Sequence, residues 1–234
     1  MADTWGFKTS YTYSYTYTDT GLPESSVLPA VGSLPSEKLL VRYSNDGLPL
    51  SVSGHDWYGT ETVYSPYGQV VRSTLGSQPY RVWALADYDE ASGELKRSQV
   101  FREQTGNKLL VSGNLVSQRD YAYDAAGNIT DIQERSTGIE ERQCFTYDAR
   151  GQLTKAWTSK NVMTCGSGPV ATDGTVLAGA GVDKTGYWQE YTYDLLGNRT
   201  KLVEKDLTGD TAKDATSTYS YGAVDGSQPR TLTK

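Results

Sequence analysis

The chain has 234 residues, a net charge of −6, and 22 Lys plus Arg against 28 Asp plus Glu. Phosphate recognition needs clustered cations, so an acidic chain with only scattered Arg and Lys is not read as a nucleic-acid binder. No apolar run approaches the ~20 residues of a membrane-spanning helix, and Met1-Ala2-Asp3-Thr4 does not open a signal peptide.

Length admits one or two domains. Hydrophobic residues make up 37% of the chain, with 18 Tyr against 3 Phe and 2 Met, and the mean hydropathy is −0.55. That is low for a compact two-layer domain and suits a single sheet that is wet on at least one face. Tyrosine fits such a wall, because its ring covers apolar area while its hydroxyl reaches water or a neighbour.

From the N-terminus, Tyr15-Thr16-Tyr17-Thr18-Asp19-Thr20-Gly21-Leu22 alternates with period two and then meets a glycine. It reads as a strand and a hairpin turn, with the carboxylate of Asp19 one place late. Ser25 to Ser36, with Pro23 before it and Pro29 and Pro35 inside, has no period and reads as a loop. Tyr43-Ser44-Asn45-Asp46-Gly47-Leu48 and Tyr64-Ser65-Pro66-Tyr67-Gly68-Gln69-Val70 are hairpin turns with Ser in the carboxylate position. Between them lies the only histidine, His55, in Ser53-Gly54-His55-Asp56-Trp57-Tyr58. A Ser/His/Asp relay needs convergence in a cleft, which sequence neighbours do not supply, so His55 reads as a loop residue. Tyr88-Asp89-Glu90-Ala91-Ser92-Gly93 carries one extra residue before its glycine.

Three clear copies of one pattern follow. They are Tyr121-Ala122-Tyr123-Asp124-Ala125-Ala126-Gly127-Asn128-Ile129-Thr130, Phe145-Thr146-Tyr147-Asp148-Ala149-Arg150-Gly151-Gln152-Leu153-Thr154 and Tyr191-Thr192-Tyr193-Asp194-Leu195-Leu196-Gly197-Asn198-Arg199-Thr200. The two aromatic residues share one strand face. The aspartate ends the strand by accepting backbone N–H groups further on, and the glycine supplies a left-handed position. Each copy is therefore a β-hairpin, and the aspartates are turn formers rather than general acids or metal ligands. Asn128-Ile129-Thr130 and Asn198-Arg199-Thr200 match glycosylation acceptors, but the hairpin pattern accounts for them without sugar. Glu140 and Glu141 point to opposite faces on a strand and do not form a catalytic pair.

Cys144 and Cys165 lie 21 residues apart, about one repeat. A disulfide between adjacent strands and a pair of partly buried unpaired thiols both remain open, the thiols being favoured. Two Cys and one His do not make a zinc set, and no metal or other cofactor is expected. The stretch from about 160 to 186 breaks the pattern with six glycines, Gly166 to Gly186. It lacks the Gly-Lys-Ser/Thr of a phosphate cradle and reads as a flexible surface insertion. Tyr219-Ser220-Tyr221-Gly222 is a last, truncated copy. The anchoring tyrosines are Tyr17, Tyr43, Tyr64, Tyr88, Tyr123, Tyr147, Tyr193 and Tyr221, spaced 26, 21, 24, 35, 24, 46 and 28. Units of this size are those of stacked repeats, and the longest gap holds either an insertion or one eroded unit.

The Tyr-Asp-x-x-Gly-x-x-Thr pattern resembles that of the YD-repeat, or RHS-repeat, family. The degenerate copies extend the likeness over almost the whole chain, and the stretch from Tyr219-Ser220-Tyr221-Gly222 through Ser227-Gln228-Pro229-Arg230-Thr231-Leu232 looks like the repeat variants of bacterial RHS proteins. Bacterial polymorphic toxins, insecticidal toxin complexes, cell-wall-associated proteins and animal teneurins share the motif. The resemblance implies an all-β fold, with hairpins side by side in a curved, spiralling antiparallel sheet that forms part of a hollow shell. Residues 1–234 are then one repeat array, degenerate over 1–100 and regular over 101–234. In toxin members the shell encloses a C-terminal toxic domain, used against competing bacteria or a host. The partners implied are further repeats of the same parent protein and the enclosed domain, with export or cell-surface display as part of a larger protein. No Asp-Pro occurs in the chain, so the family's autoproteolytic activity is not carried over, and no enzyme is expected. Open sheet edges would favour self-association. The alternative is a carbohydrate- or cell-surface-binding module that uses exposed tyrosines. Chain ends lying in repeat-like sequence are expected of a segment cut from a longer array.

Overall fold

The structure is a computed structural model that describes residues 10–104, 114–222 and 231–233. The readings made at Met1–Thr4 and at Ser227–Arg230 lie outside the described residues. Fifteen strands appear in chain order: β1 (Ser14–Tyr17), β2 (Pro23–Leu28), β3 (Glu37–Tyr43), β4 (Pro49–Ser53), β5 (Trp57–Tyr64), β6 (Val70–Leu75), β7 (Val82–Tyr88) and β8 (Leu95–Arg102). They continue as β9 (Leu115–Tyr123), β10 (Ile129–Ser136), β11 (Ile139–Tyr147), β12 (Leu153–Thr158), β13 (Trp188–Tyr193), β14 (Arg199–Glu204) and β15 (Ala215–Thr218). The strand order in the sheet follows the chain order from β1 to β15. Short 3-10 segments lie at Val182–Lys184 and Thr211–Lys213. The fold is thus an all-β meander of antiparallel hairpins. By contacts the chain divides into two compact units, one of Met1–Asp87 with Gln99–Val116 and one of Tyr88–Ser98 with Ser117–Lys234.

In the first unit, β1 to β7 pair in succession, as in Ser25 with Leu40 and Val41 with Val52. Ser25 to Leu28, expected as loop, forms most of β2. Pro23 opens that strand, where its missing N–H costs no ladder bond, and Ser25 is 4% exposed with its hydroxyl 2.7 Å from that of Thr16. Pairing on both sides overrides the weak local pattern. The loop is confined to the segment between Leu28 and Glu37. The buried end of this unit is a clamp in which Arg81 donates to Glu103 at 2.9 Å and lies over the Trp83 ring at 5.0 Å.

In the second unit, β9 to β15 pair in succession. One face carries cross-strand charges. Asp120 accepts from Arg97 and Arg135, Arg135 donates to Glu140, and Arg142 pairs with Asp131. Further along the same face, Cys144 opposes Trp157, which opposes Trp188. These three residues and Ala178 form the buried cluster, with Cys165, Val176 and Leu207 packed against it.

That cluster corrects the reading of residues 160–186 as a surface insertion. The segment between β12 and β13 lies on the sheet, and Ala178 is 0% exposed. Lys160 N donates to Leu177 O, Gly179 N to Thr158 O, and Arg142 Nε to Val162 O. Small residues allow this approach: a Cβ on Gly179 would lie 2.8 Å from Lys160 Cγ. The segment also contains an eroded repeat turn. Val170 bridges Val176, Ala171 N donates to Thr175 O and Gly174 N to Ala171 O. This is the backbone pattern of the turn at Asp124, and Val170 stands midway between Tyr147 and Tyr193, 23 residues from each. The repeat turn survives there while its strands do not.

Candidate functional site

The turns are built alike. Asp124 N donates to Asn128 O at 2.9 Å, and Gly127 N to Asp124 O at 3.1 Å. Asp124 Oδ1 accepts from the N–H groups of Ala126 and Asn128, and Oδ2 accepts from Asn128 Nδ2, each at 2.9 Å. Asp194 does the same with Leu196 and Asn198. Asp148 accepts from Arg150 N and Gln152 N at 2.9 Å. The carboxylates of Asp124 and Asp194 are held below the usual range, Asp124 chiefly by the Asn128 amide and Asp194 chiefly by the Asn198 amide. Each is spent inside its own turn, and so are the amides of Asn128 and Asn198 that the glycosylation motif would need.

The degenerate turns keep the backbone and replace the acceptor. Ser44 and Ser65 hydroxyls take two N–H groups each, at 3.1–3.2 Å. In the first hairpin Thr18, not Asp19, fills the position: Gly21 N donates to Thr18 O, and Leu22 N to Thr18 Oγ1. The pattern is therefore in register there, with Thr in place of Asp. His55 lies apart from any relay, its N–H on Glu37 Oε1 and its Nε2 3.3 Å from Ser36 O. Glu140 pairs with Arg135, whereas Glu141 accepts from Val182 N.

Beside each turn, the pairing register shifts at the anchoring tyrosine. Tyr17 opposes Pro23, Tyr43 Pro49, Tyr64 Val70, Tyr123 Ile129, Tyr147 Leu153 and Tyr193 Arg199, with a skipped residue next to each. Such bulges bend the strand and re-aim its side chains. The hydroxyl then reaches backwards. Tyr43 donates to Pro23 O at 2.7 Å, Tyr64 to Pro49 O at 2.6 Å, and Tyr123 to Leu95 O at 2.9 Å. Tyr147 donates to Ile129 O and Tyr193 to Leu153 O, both at 2.9 Å, and Tyr221 to Arg199 O at 3.0 Å. In all six the acceptor is the residue that opens the second arm of the preceding hairpin. The tyrosine closes one hairpin and latches it to the one before.

Burial pushes the phenols of Tyr123, Tyr147 and Tyr193 above the ordinary value of 10.0, which keeps them protonated as donors. The other aromatic position is more varied. Tyr121 lies 3.4 Å from Ser98 Oγ, Tyr191 donates to Gln189 Oε1, and Phe145 lines the strand without a hydroxyl. The strand pattern located these tyrosines on one face. It did not show the backward latch, which depends on the register between hairpins.

Cys144 and Cys165 are joined in a disulfide with Cα atoms 5.8 Å apart, so the unpaired-thiol alternative does not hold in the structure. Cys144 is fully buried on β11, and the bond ties the inserted segment to the sheet. An open groove of about 650 Å³ runs beside Asp148, Arg150, Tyr191, Tyr193 and Asp194. Its polar groups are already engaged, Arg150 Nη1 on Leu195 O and Tyr193 on Leu153 O. Among the described residues no group of three or more His, Cys, Asp or Glu is placed to hold a metal ion, and no helix is long and apolar enough to cross a membrane.

The fold and this latch define a class, the sheet of repeated, mutually fastened hairpins. No family model matches the sequence, and no curated protein matches it. Solved structures do. The crystal structure of TcdB2-TccC3 is similar with a TM-score of 0.66 and 18% identity, over 95% of this chain and 10% of that one. The Photorhabdus luminescens Tc holotoxin pore with a mutated TccC3 gives the same values. TcdB2-TccC3-TEV is similar with a TM-score of 0.63 over 91% of this chain. The likeness is one of fold, and this chain spans about a tenth of the chains it matches.

Proposed function

We propose that the chain is a non-catalytic wall segment of an RHS/YD-repeat shell that encloses a C-terminal toxin or effector and helps deliver it. The observation that carries this reading is the latch. Six tyrosine hydroxyls are spent on fastening one hairpin to the next, as a wall requires and a catalytic cleft does not. The solved structures that resemble the chain are components named in Tc toxins, which supports the same reading. On this proposal the partners are flanking repeats of the parent protein and its enclosed domain, and the parent acts outside the cell or at its surface. The alternative, a carbohydrate- or cell-surface-binding module that uses exposed tyrosines, draws no specific support, although Tyr67 and Tyr80 are 76% and 82% exposed.

The test is limited proteolysis of the intact parent protein that contains this segment. The proposal expects its C-terminal domain to survive while the repeats remain folded, and to be cut once they are unfolded. Cleavage of that domain at the same rate in the intact parent and in isolation overturns it.

A further inference from the structure

The segment that covers the sheet between β12 and β13 is fastened in two different ways. From Pro169 onward the backbone holds it. Leu177 N and Ala178 N donate to Pro169 O, Lys160 N donates to Leu177 O, and Gly179 N donates to Thr158 O. Residues 161–168 instead form a turn that bonds within itself. Met163 N donates to Asn161 Oδ1 at 2.9 Å, Thr164 N to Asn161 O at 3.2 Å, and Gly166 N to Thr164 Oγ1 at 3.1 Å. This turn is tied down by Arg142 Nε on Val162 O, by the Ser159 hydroxyl with Asn161 N and Thr164 O, and by the Cys144–Cys165 bond. A covalent bond does there what backbone pairing does further on.

The disulfide is open to attack from one side. Cys144 is fully buried on β11, in the cluster with Trp157, Ala178 and Trp188. Cys165 is half-buried and lines a groove of about 370 Å³ with Arg142, Phe145, Trp157, Met163 and Gly168. Cys144 does not line it. The volume is in the range of small-molecule sites, and thiol exchange requires that a thiolate reach one of the two sulfurs. We infer that this groove admits a low-molecular-weight thiol to Cys165 Sγ, and that the exchange frees the turn at 161–168 while the sheet stays folded. In the first step the thiolate sulfur bonds to Cys165 Sγ and the S–S bond breaks. Cys144 leaves with the electron pair and takes a proton from water, and Cys165 carries a mixed disulfide. A second thiolate then attacks the sulfur of the small molecule in that mixed disulfide. Cys165 leaves as a thiolate, so both cysteines end reduced and the small thiol ends oxidised to its own disulfide. Disulfides persist in oxidising surroundings and are lost where thiols are kept reduced. The turn is therefore closed in the first and released in the second, which uncovers Trp157, 2% exposed when closed. This inference rests on the disulfide and its groove and is independent of whether a toxin is enclosed.

The experiment has two arms, both on the full chain. In the first, the oxidised chain is held in millimolar reduced glutathione, quenched at intervals, and read by peptide mass spectrometry. The adduct on Cys165 should exceed that on Cys144 at least about tenfold, because access decides which sulfur is attacked. In the second, the parent and Cys165→Ser, which lacks the bond, are exposed to thermolysin, a protease that cuts before apolar residues. Cys165→Ser should be cut at Val162 or Met163 at least about tenfold faster than the parent, with β9 to β14 still intact at that time. An adduct on Cys144 equal to or above that on Cys165, or no adduct while the chain is folded, overturns the inference. So does equal cleavage of parent and variant, or cleavage of the variant throughout the sheet at once.

Discussion

A glycine at φ +82° and a carboxylate that collects three hydrogen bonds make the repeat turn at Asp124. At Gly127 a Cβ would meet nothing closer than Glu94 Oε1 at 3.5 Å, so conformation and not space sets the cost of substitution. Gly127→Ala should lose about 1–2 kcal/mol in urea unfolding, and Gly127→Asn distinctly less, because Asn tolerates the left-handed region. Acid acts on the same turns. Asp89 is held down to about 2 by the Ser92 N–H, then Lys96 and the Ala91 N–H, and Asp124 and Asp194 are lowered as well. A depressed folded value means stability present above the ordinary 3.8 and lost as pH falls below it. Melting temperature should therefore hold from neutral pH to about 5 and fall from about pH 4 toward 2. The raised phenols of Tyr123, Tyr147 and Tyr193 give the opposite sign, a loss as pH rises above 10.0. These turn residues were legible in the sequence because turn chemistry is local. Thr18 was missed because a hydroxyl does the work of the carboxylate expected one place later.

At the scale of elements, the hairpins follow from period two and a glycine, while the insertion does not follow from any period. Glycines and alanines between Gly166 and Gly186 look like loop until Trp157 and Trp188 supply a surface for them to cover. The small side chains are what let backbone approach the sheet, a contact that composition alone cannot disclose. Likewise β2 was hidden by prolines that fall at its start and beyond its end. The disulfide closes a loop with a sequence separation of 21. Its reduction should cost the second unit about 3 kcal/mol, read as a lower urea midpoint with dithiothreitol. Trp157→Ala, at a residue 2% exposed, should cost about 3–5 kcal/mol in the same assay. The ion pairs from Arg97 through Asp120 and Arg135 to Glu140 are partly exposed and should matter far less.

Over the whole molecule, one device recurs at six of the eight anchoring tyrosines. An array of this kind draws its stability from each unit and from its contact with the next. The register that sets those contacts is long-range, which is why the tyrosine stripe was visible in the sequence and its backward hydrogen bonds were not. The most direct test is urea unfolding of single Tyr→Phe variants at Tyr43, Tyr64, Tyr123, Tyr147, Tyr193 and Tyr221, compared with Tyr67 and Tyr80, which are 76% and 82% exposed. The latch account predicts a loss of about 1 kcal/mol at each of the six and none at the two controls. Equal effects at all eight, or none at any, would contradict it.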